Sequence, residues 1–141
     1  MKIDGKCHCG AVRIELQWPG TLADMTVRVC TCTFCRKHGG HWTSHRQAEL
    51  LVVVSEPALL SRYRFGTQTA DFHVCSRCGV VPFATSRIAQ CTYAVVNVNS
   101  LEGSEVAALP RAPVSFDGEG AGDRLERRQR NWIANVHFSA S

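Results

Sequence analysis

Seven of the eight cysteines in this 141-residue chain sit in three tight groups: Cys7-His8-Cys9-Gly10, Cys30-Thr31-Cys32-Thr33-Phe34-Cys35 and Cys75-Ser76-Arg77-Cys78-Gly79. Such spacing suits metal ligation better than disulfide pairing. Two cysteines one residue apart on a strand point to the same side. Two cysteines separated by two residues can close a knuckle, and the glycine that follows supplies a backbone conformation other residues resist. Tetrahedral zinc, with sulfur at about 2.3 Å, needs pairs that converge in this way. Seven thiolates divide most simply into a closed set of four and an open set of three. Closed tetrahedral zinc is structural, whereas zinc with three protein ligands keeps a position for chemistry.

The Cys7/Cys9 and Cys75/Cys78 pairs both end in Cys-Gly, which marks them as the two halves of the closed set. They lie far apart in the chain, so sharing one ion folds the chain back on itself and argues for one zinc-binding domain over residues 1–141. Metal binding then contributes directly to folding stability, because the unfolded chain has no preformed site. Two other partitions stay open. Cys30 or Cys35 could exchange into this site, and Cys91 could complete a second four-cysteine site. Cys91 has no paired ligand within Ala89-Gln90-Cys91-Thr92, and reads instead as a small buried apolar residue.

Composition narrows the function classes. No apolar run approaches the roughly 18 residues of a membrane span, and the longest covers residues 50–54. The start, Met1-Lys2-Ile3-Asp4-Gly5, lacks the apolar segment of a secretory signal, so a cytoplasmic location is expected. In a reducing compartment clustered cysteines bind metal or act in catalysis more often than they pair. The net charge of +4 raises the question of a nucleic-acid partner. Seven thiolates around two divalent ions would lower that charge to about +1, so basic residues near the clusters serve to balance them. The local excess left over is Arg124, Arg127, Arg128 and Arg130, which reads as a solvated helix face.

Strand signals dominate, so the chain is expected to be mainly β. Val12, Ile14, Leu16 and Trp18 alternate with Arg13, Glu15 and Gln17, and Trp18-Pro19-Gly20 ends this half-buried strand. Residues 25–29 form a second strand feeding the three-cysteine group, and residues 50–54 a continuous apolar one. Residues 60–65 and 70–74 flank a turn at Gly66-Thr67 and read as a hairpin leading into Cys75. Residues 80–85 and 93–98 follow, the latter with Ala94, Val96 and Val98 on one face and Asn97 with Asn99 on the other. Asp123, three residues before Glu126, suggests a capping box. Leu125, Trp132, Ile133 and Val136 then recur at helical spacing, so a short C-terminal helix docked by Trp132 is expected.

The Cys30-x-Cys32-x-x-Cys35 group carries the chemistry. Three sulfurs within six residues can converge on one ion without long-range help. His38, His41 and His45 are nearby, but the Glu of a zinc-protease helix is absent between His41 and His45, and all three read as surface or hydrogen-bonded groups. The fourth position is then left to water or to a substrate atom. A centre already holding three thiolates is a weakened Lewis acid and suits an incoming sulfur. A substrate thiol bound there would be held as thiolate and could attack a small aldehyde. Arg36, directly after Cys35, is the candidate to attract an anionic substrate group.

Taken in order, Cys7-x-Cys9-Gly10, Cys30-x-Cys32-x-x-Cys35-Arg36, Phe65-Gly66, Cys75-x-x-Cys78-Gly79 and the strand and turn of residues 95–101 resemble the glutathione-dependent formaldehyde-activating enzyme family, which includes the centromere protein V relatives. The resemblance covers about residues 3 to 103. It implies stacked antiparallel sheets stapled by zinc, with a structural ion on Cys7, Cys9, Cys75 and Cys78 and a catalytic ion on Cys30, Cys32 and Cys35. It also implies a carbon–sulfur lyase activity, the joining of glutathione to formaldehyde as S-hydroxymethylglutathione. Arg36 is carried over as substrate-binding, with Arg62 and Arg64 as further candidates.

Two zinc ions are therefore expected, the open one only partly filled, with a small thiol or thiol–aldehyde adduct as partner and no membrane. The competing reading is a zinc-stabilised module that binds nucleic acid or a protein, supported by the terminal arginines. A redox or metal-storage role for Cys30, Cys32 and Cys35 is a third.

Overall fold

The chain is described by a computed structural model over residues 1–140. Alternation builds the smaller of its two sheets. In β2 (Val12–Gln17) Val12, Ile14 and Leu16 are buried while Arg13 and Gln17 are exposed. It pairs antiparallel with β1 (Lys2–Lys6) on one side, Ile3 opposite Leu16, and with β5 (Glu49–Val54) on the other, Ile14 opposite Val52. A final strand, β11 (Asn135–Ala140), lies parallel to β5 at the edge. The order is β1-β2-β5-β11.

The larger sheet contains β3 (Val27–Cys30), β4 (His41–Thr43), β6 (Leu60–Tyr63), β7 (Asp71–Cys75), β8 (Phe83–Ile88), β9 (Cys91–Asn97) and β10 (Arg111–Val114). Their order is β10-β3-β4-β9-β8-β7-β6. Its central strands are buried on both faces. Phe83, Ala94 and Val96 pack with Ile14, Leu50 and Val52 of the smaller sheet, while Ala84, Tyr93 and Val95 pack with Trp42 and Trp132 on the opposite side. Full burial of a side chain such as Phe83 or Leu50 contributes about 2–3 kcal/mol. The larger sheet is thus the middle of three layers, and the third layer holds α1 (Thr33–His38) and α3 (Ala121–Asn131). A four-residue helix, α2 (Ser104–Ala107), leads into β10. Among the described residues no helix is long and apolar enough to cross a membrane.

The expected strands at residues 12–18, 50–54 and 93–98 and the hairpin at residues 60–74 are all present. The strand expected from Val80 starts instead at Phe83, because the Val80 carbonyl closes the second knuckle by accepting from the Cys75 N–H at 3.0 Å. The expected C-terminal helix stops at Asn131. Ile133 exchanges two backbone hydrogen bonds with Ala94, of 2.9 and 3.0 Å, and Val136 lies in β11, so strand pairing captures residues whose spacing reads as helical. The N-cap is Gly120 and no capping box forms at Asp123. Two edges are parallel, β10 on β3 and β11 on β5, where antiparallel pairing is expected. Cys91 is exposed at the end of the β8–β9 hairpin, not buried.

Candidate metal centres and the adjoining cavity

The sulfurs of Cys7, Cys9, Cys75 and Cys78 lie within 4.8 Å of one another, with 3.7 Å between Cys7 and Cys9 and 3.6 Å between Cys9 and Cys75. Sulfurs about 2.3 Å from a tetrahedral zinc are about 3.8 Å apart, so this donor set fits the ion. Two matching turns make it. The Cys7 N–H donates to the Val12 carbonyl at 2.9 Å, just as the Cys75 N–H donates to Val80. Gly10 and Gly79 take φ of +83° and +80°, which side chains disfavour. The Val12 N–H points back to the Cys7 sulfur at 3.3 Å. Burial pushes the Cys7 thiol up to about 11. At Cys78, burial also acts upward, but N–H groups of Cys9 and Val80 stabilise the thiolate and bring it down to about 6. Four sulfurs this close can ionise together only around a cation.

The sulfurs of Cys30, Cys32 and Cys35 also lie within 4.8 Å of one another. Cys30 ends β3. Cys32 is the N-cap of α1, its sulfur accepting from the Cys35 N–H at 3.3 Å. The Trp42 indole N–H donates to the Cys35 sulfur at 3.4 Å. Gly39 closes the helix at φ +83°, and both it and Gly40 donate to the Cys35 carbonyl at 2.9 Å. A Cβ on Gly40 would lie 2.9 Å from the Cys35 sulfur and 2.7 Å from the Trp42 nitrogen, so only glycine leaves this cradle intact. Behind it, the buried Asn97 amide donates to the carbonyls of Gly39 and Val81 at 3.2 and 3.1 Å, tying α1 to the turn after Cys78. The hydrogen bond with Cys35 draws the Cys30 thiol down to about 6, and the same bond followed by burial pushes Cys35 well up. The set fits a soft divalent ion with three protein sulfurs.

All three sulfurs line a cavity of about 340 Å³. Its floor is one face of the larger sheet, where register aligns Phe72, Ala84 and Val95 across β7, β8 and β9, and Arg28 opposite Trp42 across β3 and β4. The β6–β7 hairpin brings Phe65, Gly66 and Thr67 to the rim. The parallel pairing of β10 with β3, Val114 opposite Cys30, brings Phe116 and Asp117 to the cysteine end. The remaining wall is α3, with Arg124, Arg127 and Arg128, together with Trp132 just past its end. Glu119 grips Arg127 through both carboxylate oxygens at 3.0 Å and holds Arg124 at 3.7 Å.

Arg36 is exposed on α1 and does not line the cavity. Arg62 and Arg64 are likewise outside it, both ion-paired with Asp71. No histidine joins the Cys30 group among the described residues. The His41 ring nitrogen meets Arg111 at 2.7 Å and His45 accepts from the Gln47 N–H at 3.1 Å. His38 departs from expectation: its ring packs on Phe34 at 4.3 Å, with neither nitrogen hydrogen-bonded among the described residues. The larger departure concerns the arginines. Arg124, Arg127 and Arg128 face the cavity and Arg128 is only 5% exposed, leaving Arg130 as the solvated member. Their spacing of three and four residues puts them on one helix face, a signal present in the sequence. Arg28 and Trp42 carry no such signal.

Two comparisons bear on these centres. Residues 2–114 match the model of a family described as glutathione-dependent formaldehyde-activating enzyme. A crystal structure of a Rhodobacter sphaeroides protein superposes with a TM-score of 0.61 at 37% sequence identity, covering 78% of this chain and 97% of that one. The family match spans both cysteine groups and ends at Val114, before the loop that carries Phe116 and before α3.

Proposed function

The chain belongs to the glutathione-dependent formaldehyde-activating enzyme family, and from that premise we propose that it joins a small thiol to formaldehyde or a similar small aldehyde at the Cys30–Cys32–Cys35 end of the cavity. Glutathione is the first candidate thiol, and the product is then S-hydroxymethylglutathione. The thiol sulfur forms a bond to the carbonyl carbon, and the thiol proton ends on the carbonyl oxygen. In the reverse sense this is a carbon–sulfur lyase reaction.

One observation carries the reading: three converging sulfurs line a half-open cavity, whereas the other four sulfurs close on themselves. We assign a structural zinc to Cys7, Cys9, Cys75 and Cys78 and a second zinc to Cys30, Cys32 and Cys35. That second ion would supply a soft position where a thiol is held as thiolate at neutral pH. The protein's own residues do the rest. Trp42 orients the Cys35 sulfur through its indole N–H. Phe65, Phe72, Phe116 and Trp132 give the space apolar walls that limit water, the competitor for a small aldehyde. The arginines of α3 and β3 favour an anionic guest.

Exchange spectroscopy on formaldehyde mixed with glutathione tests the proposal. Zinc-loaded protein is expected to speed interconversion of free and hydroxymethylated glutathione, and Cys32→Ser to abolish the gain while retaining the fold. An exchange rate equal to that without protein would remove this pair of substrates.

A further inference from the structure

The larger sheet has a second cavity on the face opposite the cysteine groups. Side chains alternate along a strand, so Phe72 and Ala84 line the cysteine cavity while Asp71, His73 and Thr85 turn to the other side. On that side the smaller sheet covers Phe83, Ala94 and Val96. Next to them the same rows turn polar. Arg62 lies opposite His73 across β6 and β7, Asp71 opposite Thr85 across β7 and β8, and Arg87 opposite Thr92 across β8 and β9. These residues line a half-open space of about 500 Å³. Leu60 and Phe138 give it an apolar side. Phe138 is more than half exposed, with its ring centroid 6.2 Å from that of His73 and 5.9 Å from that of Phe83. It belongs to β11, past residue 114, where the family match ends.

The polar groups of this space are only partly matched. Its one carboxylate, Asp71, is held by Arg64 through both oxygens and by Arg62 at 3.9 Å. Arg87 is exposed, and among the described residues its side chain has neither a hydrogen bond nor an ion pair. His73 is buried; its Nε2 meets the Thr85 hydroxyl at 2.7 Å, and its Nδ1 has no partner among the described residues. A concave space with apolar walls and a few unsatisfied polar groups is the ordinary form of a small-molecule site. A guanidinium offers two parallel N–H groups to a carboxylate or a phosphate. We propose that this cavity is a second ligand site, independent of both cysteine groups, and that it takes a small organic anion, with the acidic group on Arg87 and the apolar body along Phe138 and Leu60.

Titration of the full-length zinc-loaded protein, followed through its backbone amide NMR shifts, tests the site. The probes are 2-naphthoate, 2-naphthyl phosphate and 2-naphthalenemethanol, which share a ring system and differ in charge. At least one anion is expected to bind about tenfold more tightly than the alcohol, and the tighter of the two identifies the acid the site prefers. The shifts should centre on Arg62, Asp71, Thr85, Arg87 and Phe138. Arg87→Gln should weaken the tighter anion about tenfold, to near the alcohol. Phe138→Ala should weaken all three probes. Both side chains are exposed, so the variants are expected to fold. Cys32→Ser should leave these affinities unchanged, which separates the site from the thiol reaction proposed above. Equal affinity for anion and alcohol, anion binding that survives Arg87→Gln, binding indifferent to Phe138→Ala, or shifts confined to the surroundings of Cys30, Cys32 and Cys35 would each overturn the proposal.

Discussion

Cys7 and Cys75 are wholly buried, and their group draws on turns that lie 66 residues apart between Cys9 and Cys75. Cys30, Cys32 and Cys35 come from six consecutive residues and end at a cavity wall. In the first group each pair is held by its own turn, with backbone N–H groups directed at sulfur, and four sulfurs leave no room for a guest. In the second the support comes from behind, through Trp42, Gly40 and Asn97, and the front is free. Closure over a long loop gives an ion its greatest effect on folding, because the unfolded chain has most to lose. A local triplet restrains little of the chain, so its sulfurs can be committed to chemistry. The contrast extends to the surroundings, since β1, β2 and the smaller sheet's core lie near one group while aromatic rings and arginines surround the other.

The contrast breaks first at the sulfurs themselves. Cys75→Ser is expected to cost on the order of 5 kcal/mol or more and to erase the cooperative thermal transition followed by circular dichroism. Cys32→Ser should keep that transition within a few degrees. Equal losses in the two variants would mean that the open group also holds the fold together. Gly40→Ala comes next. Its added methyl presses on the Cys35 sulfur and the Trp42 nitrogen, which should cost about 1–3 kcal/mol as overpacking. Bound metal should fall by about one ion per chain, measured by mass spectrometry of the native protein. Retention of every ion would show that the open cradle tolerates distortion. The smallest effect belongs to the β8–β9 turn, where Ala89 and Gln90 sit at φ +49° and +68° in a two-residue loop. Replacing them by Asn and Gly, residues at ease in that geometry, should stabilise by about 0.5–1 kcal/mol in urea unfolding while metal content stays constant. A change in metal content would show that scaffold stability and occupancy of the open centre are linked.

Much of this was legible in the residues. The four-and-three grouping of sulfurs follows from spacing, since one or two intervening residues and a following glycine are local requirements. The alternation of Val12, Ile14 and Leu16 likewise marks the buried face of β2. By contrast β1 offers one large apolar residue, Ile3, and gains its place only through pairing with β2. The helix at Thr33–His38 is only six residues long, too short for periodicity to reveal. Cys91 illustrates the opposite error, where a lone cysteine has no local feature that says whether it is covered.

The amino-acid sequence by itself determined which cysteines come in close local groups and which strands bury a face, because both depend on neighbours within a few residues. Tertiary structure alone decided where Arg124, Arg127 and Arg128 point. A helix with cations at positions i, i+3 and i+4 presents the same pattern whether that face meets water or a cavity. Trp132 and Ile133, by docking the end of α3 against β9, turned the arginines inward over the open cysteine group. That choice rests on the pairing of Ile133 with Ala94, residues distant from each other in the chain, which no local spacing encodes.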